Sequence, residues 1–437
     1  MTRTSTAIHS SLADFADSPI ARWGQWGWLV LTAVFLISNA VSLNILREGS
    51  WLGPAWLNVA VWGGLMITAA LLLRRFRPWH DPLILPALAI LLGWGFLLVD
   101  RLAPNFWLRQ LIWGSIGISV LLGVAILPRN LRPLRDFPYT WLIGGLTLLG
   151  ATLVFGVNPI GYGARLWLEI PFTGVYFQPS ELLKLLLIIF LASYFAQREQ
   201  LLRFRAPRGW LAPLPYLAPL LFMWGFCMAL LVWQQDLGAA VLFFAVFLGM
   251  LYIAVGDWWY LLGGGVLLLG AAVFAYYAFD LVALRVDAWI NPWPEADDRA
   301  FQIVQSLYAL ANGRVLGQGI NQGFPQYIPV IHSDFAFAAI VEEWGLIGGI
   351  TTIALFLWLT YRGLRIAMLA KRPFHIYLAT GITLMMTAQT ILILGGVTKV
   401  LPLTGVTLPF VSYGGSSLLM SCIMIGILLY LSDEVGQ

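Results

Sequence analysis

The sequence predicts an all-α polytopic membrane protein with about 12 transmembrane helices. Of its 437 residues, 60% are hydrophobic and only 11% are charged, and the mean hydropathy is +0.82. Soluble domains carry about 25% charged residues. Apolar runs recur at roughly the 20 residues that an α-helix needs to span the hydrocarbon layer. Because these runs are continuous rather than alternating with polar residues, they predict helices and not barrel strands.

The predicted spans follow one another along most of the chain. The first begins near Trp26 behind a polar leader, without a small-residue cleavage pattern, so we interpret it as a retained span rather than a signal peptide. The predicted spans cover residues 24–44, 54–73, 82–100, 109–127, 139–156, 180–197, 213–233, 237–255, 258–278, 335–360, 376–397 and 415–432.

The distribution of basic residues predicts the orientation. Sixteen of the 25 Lys and Arg residues fall on one side of the predicted spans, 8 fall on the other, and Lys184 lies inside a span. By the positive-inside rule the richer side is cytoplasmic, so the sequence predicts a multi-pass protein of the cytoplasmic membrane with both termini in the cytoplasm. The basic connections on that side are residues 74–80, 128–136, 197–209 and 361–373.

Three connections on the outer side are rich in polar residues, Pro and Gly: 157–179, 279–334 and 398–414. The middle one is a large extracytoplasmic loop of 56 residues, and connections of that length are usually functional or disordered. Its stretch "AFQIVQSLYALANG" has apolar residues at helical spacing, which indicates an ordered loop.

The large loop carries the densest group of acids. In "NPWPEADDRAFQ", residues 291–302, Glu295, Asp297 and Asp298 lie within four positions, and Arg299 follows them directly. An acidic run on a loop is most often simply solvated. Here the acids lie between Trp289 and Trp293 on one side and the apolar stretch from Ile303 on the other, not in a flexible Ser/Lys/Glu-rich run, which makes a purely solvated tract less expected. A carboxylate site for a hard divalent cation stays open.

Other polar residues lie inside or at the ends of spans, where burial is costly and function is the default hypothesis. Glu181 and Lys184 are three positions apart and can pair on one helix, which would also suit a purely structural ion pair. Asp236 can cap the helix that follows it. Glu342 and Glu343 lie within the span that follows the large loop, and a buried carboxylate there needs a basic partner from another outer loop.

Several classes of protein are excluded or disfavoured. No "GxxxxGK[ST]" pattern is present, which disfavours an ATP-driven pump. Cys227 and Cys422 lie in apolar runs and suggest neither a disulfide nor a thiolate metal site. Only His332 of the four histidines is predicted on the outer side, so a multi-histidine metal site there is excluded. The glycines of "GQGINQG" are interpreted as turn residues, because this loop is a weak phosphate cradle.

Six motifs occur in one order: "GARLW", "QPSELLK", "QQDLGAA", "NPW…FQIVQSLYAL", "HSDFAFAAIVEEWG" and "PLTGVTLPFVSYGGSS". In that order and spacing the chain resembles the SEDS (shape, elongation, division, sporulation) family, the group of FtsW, RodA and SpoVE, from about residue 82 to 432. The resemblance implies a ten-span SEDS-like core within 76–437 and an extension with two extra spans within 1–75. We hypothesise that the extension binds a partner or stabilises the core.

The resemblance implies a peptidoglycan glycosyltransferase. Such an enzyme polymerises lipid II on the outer face of the cytoplasmic membrane, in cell division or elongation, by inverting glycosyl transfer with a carboxylate base. The implied partner is a class B penicillin-binding protein acting as transpeptidase, and no nucleic acid is expected. No cofactor is established by the resemblance, and a divalent cation, Mg or Mn, stays open.

The resemblance also implies site residues. Counting without a gap places Glu295 where the family commonly has an Asp followed by Pro, so Glu295 is the first candidate for the catalytic base, with Asp297 as its rival and Asp298 also open. Arg165, Arg285, Arg299 and Lys399 are suited to a departing pyrophosphate. The full set of predicted substrate-binding residues is Arg165, Trp167, Gln178, Ser180, Glu181, Lys184, Asp236, Arg285, Arg299, Gln302, His332, Asp334, Glu343, Lys399, Ser412 and Ser416.

Two alternatives stay open beside the enzyme. One is a flippase or transporter for the same lipid-linked precursor, which should concentrate its essential charges near the bilayer midplane. Here the polar residues crowd at the outer surface instead, which favours chemistry. The other is a non-catalytic scaffold for cell-wall synthesis. The motifs do not choose between a division role and an elongation role.

Overall fold

The structure, a computed structural model, describes residues 19–158, 165–170, 174–203 and 214–437. The polar leader and parts of the predicted connections 157–179 and 197–209 lie outside the described residues. The helices are α1 Pro19–Glu48, α2 Trp56–Phe76, α3 Ile84–Leu102, α4 Pro104–Ile126, α5 Arg132–Asp136, α6 Pro138–Phe155, and, after strands β1 Leu168–Ile170 and β2 Val175–Phe177, α7 Pro179–Arg203, α8 Leu214–Trp233, α9 Leu237–Val255, α10 Trp259–Ala278, α11 Asp280–Ile290, α12 Phe301–Gly313, α13 Ala336–Leu369, α14 Pro373–Val397 and α15 Gly415–Gly436.

The prediction of a polytopic helical membrane protein is confirmed. Within the described ranges, eleven helices are long and apolar enough to cross a membrane, and α8 contributes a shorter apolar stretch, Leu217–Trp233. Several helices begin at a proline, among them α4, α6, α7 and α14. Proline suits the first helical turn because its missing N–H would have no partner there.

One predicted connection is helical in the structure. Residues 361–369 continue α13, and Arg362 and Arg365 are buried on it. Arg362 forms an ion pair with Asp81. The sequence pattern predicted that these arginines lie in a polar connection between two spans. A paired cation, however, can be buried in a helix end at much lower cost than a lone one.

The connection 157–179, predicted on the outer side, contains a short antiparallel hairpin that the all-helical prediction did not include. Leu168 pairs with Phe177 and Ile170 with Val175. An isolated bridge between Val157 and Trp167 joins the hairpin to the end of α6. Three-residue strands are too short to be recognised by alternation of apolar and polar residues.

The chain divides into two compact units. The first comprises Met1–Pro128, Arg285–Leu369 and Gln389–Gln437, and the second comprises Arg129–Leu284 and Ala370–Ala388. In the first unit α3 is almost wholly buried, and in the second unit α7 has the same central place. Close packing in the second unit depends on Gly381, where a Cβ would lie only 2.6 Å from Ile188 Cγ2.

The two N-terminal helices pack within the first unit through a buried polar network. Arg47 Nη1 lies 2.8 Å from Asp100 Oδ1, and Asn58 Nδ2 donates to Asp100 Oδ2 at 2.7 Å. Trp107 Nε1 donates to Asn58 Oδ1 at 2.6 Å. The Asp100 side chain is 3% exposed, so α1 and α2 supply partners that this carboxylate on α3 could not obtain from water.

We expect Arg47→Met to lower the free energy of unfolding by about 1.5–3 kcal/mol, the usual contribution of a hydrogen bond to a charged group. Denaturation of the purified protein in one detergent measures the change. Arg74→Met is the control, because Arg74 is exposed at the end of α2. Equal stability of the two variants would contradict a stabilising role of the extension through Asp100.

Candidate functional site

The predicted polar residues at the start of α7 form one cluster in the second unit. Lys184 Nζ lies 2.6 Å from Glu181 Oε2, which confirms the predicted pairing. Lys184 is only 3% exposed. Gln178 Nε2 donates to Ser180 Oγ at 3.0 Å. The pair therefore brings a charged group into the buried end of a membrane span without leaving it uncompensated.

Asp236 belongs to the same cluster and caps α9. Its Oδ1 accepts a hydrogen bond from the Ala239 N–H at 3.2 Å, which confirms the predicted N-cap. Burial raises the pKa of Asp236, while the Ala239 N–H and the Ser180 hydroxyl oppose the rise. The neighbouring Gln234 donates to the Leu149 carbonyl at 2.6 Å and so ties this turn to α6.

Arg165 and Trp167 lie on the hairpin side of the second unit. Trp167 is held by its backbone bridge to Val157, and Arg165 is exposed. At Gly156 an added Cβ would lie 2.6 Å from the Arg165 carbonyl, so the chain needs glycine for this approach. Arg165 thus stands on a defined backbone with a solvent-accessible side chain.

The acidic tract of the first unit is a tight turn. Trp293–Glu295 forms one turn of 3₁₀-helix, and the Glu295 carbonyl accepts hydrogen bonds from the N–H groups of Asp298 at 3.1 Å and Ala300 at 3.0 Å. Glu295, Asp297 and Asp298 are all exposed, as is Arg299. Within the described part of the chain, none of the three carboxylates forms an ion pair.

A small apolar cluster fixes this turn. Ala300, at its end, is buried together with Ala288 of α11 and Ile303 of α12, and Leu307 packs against them. The turn is therefore held on two helices while its carboxylates face outward. The three acids are therefore carried by an ordered backbone. The composition of the tract alone could not distinguish this arrangement from a flexible, solvated run.

Arg285 and Asp334 meet beside the terminal motif. The Arg285 guanidinium attracts the Asp334 carboxylate, and a Cβ added at Gly405 would lie 3.5 Å from Arg285 Nη2 and 3.7 Å from Asp334 Oδ2. Burial raises the pKa of Asp334, and the Ser333 hydroxyl, at 2.6 Å, and Arg285 counteract it. The structure thus brings Arg285 of α11 together with two of the quoted motifs, those that contain Asp334 and Gly405, in the first unit.

Lys399 lies against the end of α11, the helix that carries Arg285. Its Nζ donates to the Ile290 carbonyl at 3.4 Å, and its own carbonyl accepts a hydrogen bond from Trp289 Nε1 at 3.2 Å. These contacts hold the 398–414 connection against the end of α11. Because Arg285 is on the same helix, one turn away from Trp289, two cations share this part of the first unit.

A group of aromatic rings in the first unit joins the start of α4 to the terminal motif. The rings of Phe106 and Tyr413 are stacked with centroids 4.7 Å apart, and His332 lies 5.2 Å from Phe106. Arg109 hydrogen bonds to the Tyr413 side chain. Phe106 and Arg109 are not among the site residues predicted from the sequence, although Arg109 lies at the end of a predicted span, where a charged residue is a signal.

Protonation of His332 should make the stability of the protein depend on pH. Burial lowers the pKa of His332 below its ordinary value of 6.5. Below pH 6.5 the unfolded chain therefore binds more protons at this residue than the folded protein does. The contribution of His332 to stability is complete above pH 6.5, and it is lost as the pH falls through the lowered pKa. We expect the melting temperature of His332→Gln to fall less between pH 7 and 5 than that of the wild type. Parallel curves would contradict this.

The remaining predicted residues are in the first unit as well. Ser412 donates to the Ser333 carbonyl and accepts from the Leu408 N–H at 3.0 Å, which fixes the turn before α15. Ser416 is buried at the start of α15. Gln302 Nε2 reaches the Pro329 carbonyl at 3.5 Å. The serines therefore organise the terminal motif.

Glu343 is engaged in holding the large loop. Arg101 Nε lies 3.1 Å from Glu343 Oε1, which also accepts from the Asn321 N–H at 3.2 Å. The Phe324 N–H donates to Glu342 Oε1 at 3.0 Å. The Glu343 side chain is 0% exposed. Glu343 thus has a basic partner as predicted, but that partner, Arg101, comes from the last turn of α3 and not from a loop.

Two glycines let the loop enter a break in α13. Gly345 has φ +69° inside the helix, and a Cβ there would lie 2.3 Å from the Gly317 nitrogen. Gly317 has φ +85°, and a Cβ there would lie 2.3 Å from the Glu343 carbonyl oxygen. Both angles lie in the region that L residues avoid. This approach explains Gly317 of "GQGINQG", which serves backbone packing in addition to turning.

Comparison with known proteins identifies the family. Residues 96–437 match the model of the FtsW, RodA and SpoVE cell cycle proteins. Among curated relatives, the peptidoglycan glycosyltransferase RodA of Mycobacterium tuberculosis is 34% identical over 425 residues, covering 92% of this chain and 89% of that protein. The probable peptidoglycan glycosyltransferase FtsW of Geobacter sulfurreducens is 36% identical over 333 residues, covering 76% and 86%.

Solved structures agree. A chain from a study of polymerisation and crosslinking by a peptidoglycan synthase complex is 26% identical with a TM-score of 0.66, covering 82% of this chain and 98% of that one. The rod shape determining protein RodA of Thermus thermophilus is 26% identical with a TM-score of 0.58 and the same coverage. The chain therefore belongs to the FtsW/RodA/SpoVE family of cell cycle proteins.

Proposed function

We propose that this chain is a peptidoglycan glycosyltransferase that polymerises lipid II into glycan strands at the outer face of the cytoplasmic membrane. Family membership and the names of the curated relatives support the reaction class. The observation that carries the proposal is the anchored acidic turn of the first unit. It presents Glu295 and Asp297 to solvent on a fixed backbone, in the same unit as the cations Arg285 and Lys399.

In the proposed reaction a carboxylate of this turn, Glu295 first and Asp297 as the alternative, accepts the proton of the 4-hydroxyl of the acceptor GlcNAc. The oxygen then forms a bond to C1 of the donor MurNAc, and the bond from C1 to the phosphate oxygen breaks with inversion. Undecaprenyl pyrophosphate leaves with the bonding electrons. A positioned general base contributes about 10²–10⁴ in rate.

Arg285 and Lys399 are proposed to stabilise the departing pyrophosphate, because cations fixed near developing charge cost no reorganisation during the reaction. A divalent cation, Mg or Mn, would serve the same purpose. Among the described residues no group of three or more His, Cys, Asp and Glu could hold one, so we derive no step through such an ion. The cluster of Glu181, Lys184 and Asp236 is a candidate substrate-binding group of the second unit.

The partner and orientation are also proposed. A solved relative comes from a peptidoglycan synthase complex, which supports a penicillin-binding transpeptidase of class B as the partner of this chain. The surplus of basic residues on one side supports cytoplasmic termini. The proposed cellular process is cell division or elongation.

The proposal is tested with purified protein, a cognate class B transpeptidase and labelled lipid II, with glycan polymers separated by length. Polymer formation that stops when Glu295 is replaced by Ala supports the enzyme. If the wild type with an active partner forms no polymer but moves labelled lipid II between the leaflets of vesicles, the transporter alternative replaces it. If the wild type neither forms polymer nor transports lipid II, the scaffold alternative replaces the enzyme.

A further inference from the structure

We propose that the second unit binds the headgroup of an anionic phospholipid in a basic cavity at the cytoplasmic ends of its helices. The cavity has a volume of about 600 Å³ and is formed by α5, the end of α7 and the start of α14. This volume is within the range of about 300–1,000 Å³ that small-molecule sites commonly have.

The lining combines cationic and apolar residues. Arg132, Arg135 and Arg372 contribute guanidinium groups, while Leu131 and Phe374 contribute buried apolar walls. A phospholipid headgroup needs both features, because its phosphate is charged and its glycerol and upper acyl carbons are not. The apolar walls favour a phosphate that carries carbon groups, as a phospholipid does, over an inorganic anion.

The charge of the cavity is only partly compensated. Arg135 Nε lies 2.8 Å from Asp136 Oδ1, so the one acid in the lining is paired. Within the described ranges, no carboxylate lies at ion-pair distance from Arg132 or Arg372, and both residues are exposed. Two guanidiniums therefore border a cavity with donors available for a phosphate, and Arg binds phosphate in a fixed two-pronged geometry.

The position selects a lipid over other phosphates. The lining residues lie in or directly beside the basic connections 128–136, 197–209 and 361–373, on the side predicted to be cytoplasmic. There the membrane surface carries anionic lipids, and basic pockets between transmembrane helices on that side accept such headgroups. The short α5 presents Arg132 and Arg135 three positions apart, on one helical face.

The test uses the full chain in nanodiscs of phosphatidylcholine, with or without phosphatidylglycerol or cardiolipin, and measures bound lipid by native mass spectrometry and the melting temperature. The variant is Arg132→Gln with Arg372→Gln. The control is Arg74→Gln with Arg75→Gln, which removes two exposed cations from the same predicted side. We expect binding of the anionic lipid to weaken about 30-fold in the variant, from about 1 kcal/mol per arginine, and to persist in the control.

Three outcomes would overturn the proposal. Equal weakening in the control would mean unspecific attraction by the basic surface. An equal shift of the melting temperature with inorganic phosphate or glycerol phosphate in phosphatidylcholine nanodiscs would mean a site for a soluble phosphate. Unchanged lipid binding by the variant would mean that the cavity is not the site. Polymerisation of lipid II is measured separately, so a failure of this proposal is distinguishable from a failure of the proposed activity.

Discussion

Replacing Glu295 by glutamine should reduce the rate of glycan polymerisation by about 10²–10⁴, because the amide keeps the size of the side chain but cannot accept the hydroxyl proton. Glu295 is exposed on the turn, so the substitution should leave the melting temperature unchanged. Glu295→Asp should retain part of the rate, since it shortens the side chain by one methylene while keeping a carboxylate. The rate is measured with labelled lipid II and an active transpeptidase partner.

Asp297→Asn and Asp298→Asn provide matched controls, since all three carboxylates are exposed on the same turn. If Asp297→Asn abolishes polymerisation while Glu295→Gln does not, the base is Asp297 and the ungapped assignment is wrong. If all three variants keep the wild-type rate, no carboxylate of the turn acts as the base. Equal small losses in all three would instead indicate a general electrostatic effect.

Replacing Arg101 by methionine should lower the free energy of unfolding by about 3–5 kcal/mol, because it leaves the fully buried Glu343 carboxylate without its cation. The loop should be affected first, since Glu343 also accepts the Asn321 N–H. We expect faster proteolysis within 314–328 and a lower melting temperature in zwitterionic detergent.

The double variant Arg101→Met with Glu343→Gln tests this explanation, because the neutral amide removes the buried charge and its carbonyl can still accept from Asn321. It should recover most of the stability lost by Arg101→Met alone. Arg135→Met is the surface control: its pair with Asp136 is about half exposed, and such pairs contribute about 0–1 kcal/mol. A double variant no more stable than Arg101→Met would show that the charge is not the cause.

The local sequence was sufficient for interactions between residues close in the chain. Glu181 and Lys184 pair as their spacing predicts, and Asp236 caps α9. Both follow from helix geometry, which brings residues three positions apart onto one face and leaves N–H groups unpaired at each helix start. The same periodicity predicted the helix in the large loop, which the structure has at Phe301–Gly313.

For contacts between distant residues, the sequence could predict only the kind of partner and not which residue it is. The sequence indicated that Glu342 and Glu343 need a basic partner, but eight Lys or Arg residues lie on the predicted outer side, and only the folded chain selects Arg101. Likewise the approach of Gly317 to Gly345 has no local signal, because each glycine would serve equally well in an ordinary turn.

By itself, the sequence determined that this is a helical membrane protein, which family it resembles, and which acids are candidates for its chemistry, because hydropathy and motif order are properties of consecutive residues. Only the tertiary structure decided which of these residues are committed to packing. Glu343 is buried and paired within the loop anchor, whereas Glu295 and Asp297 stay exposed on a turn fixed by Ala288, Ala300 and Ile303. The physical reason is that the burial of a carboxylate depends on neighbours supplied by distant segments, and the sequence does not state which segments meet.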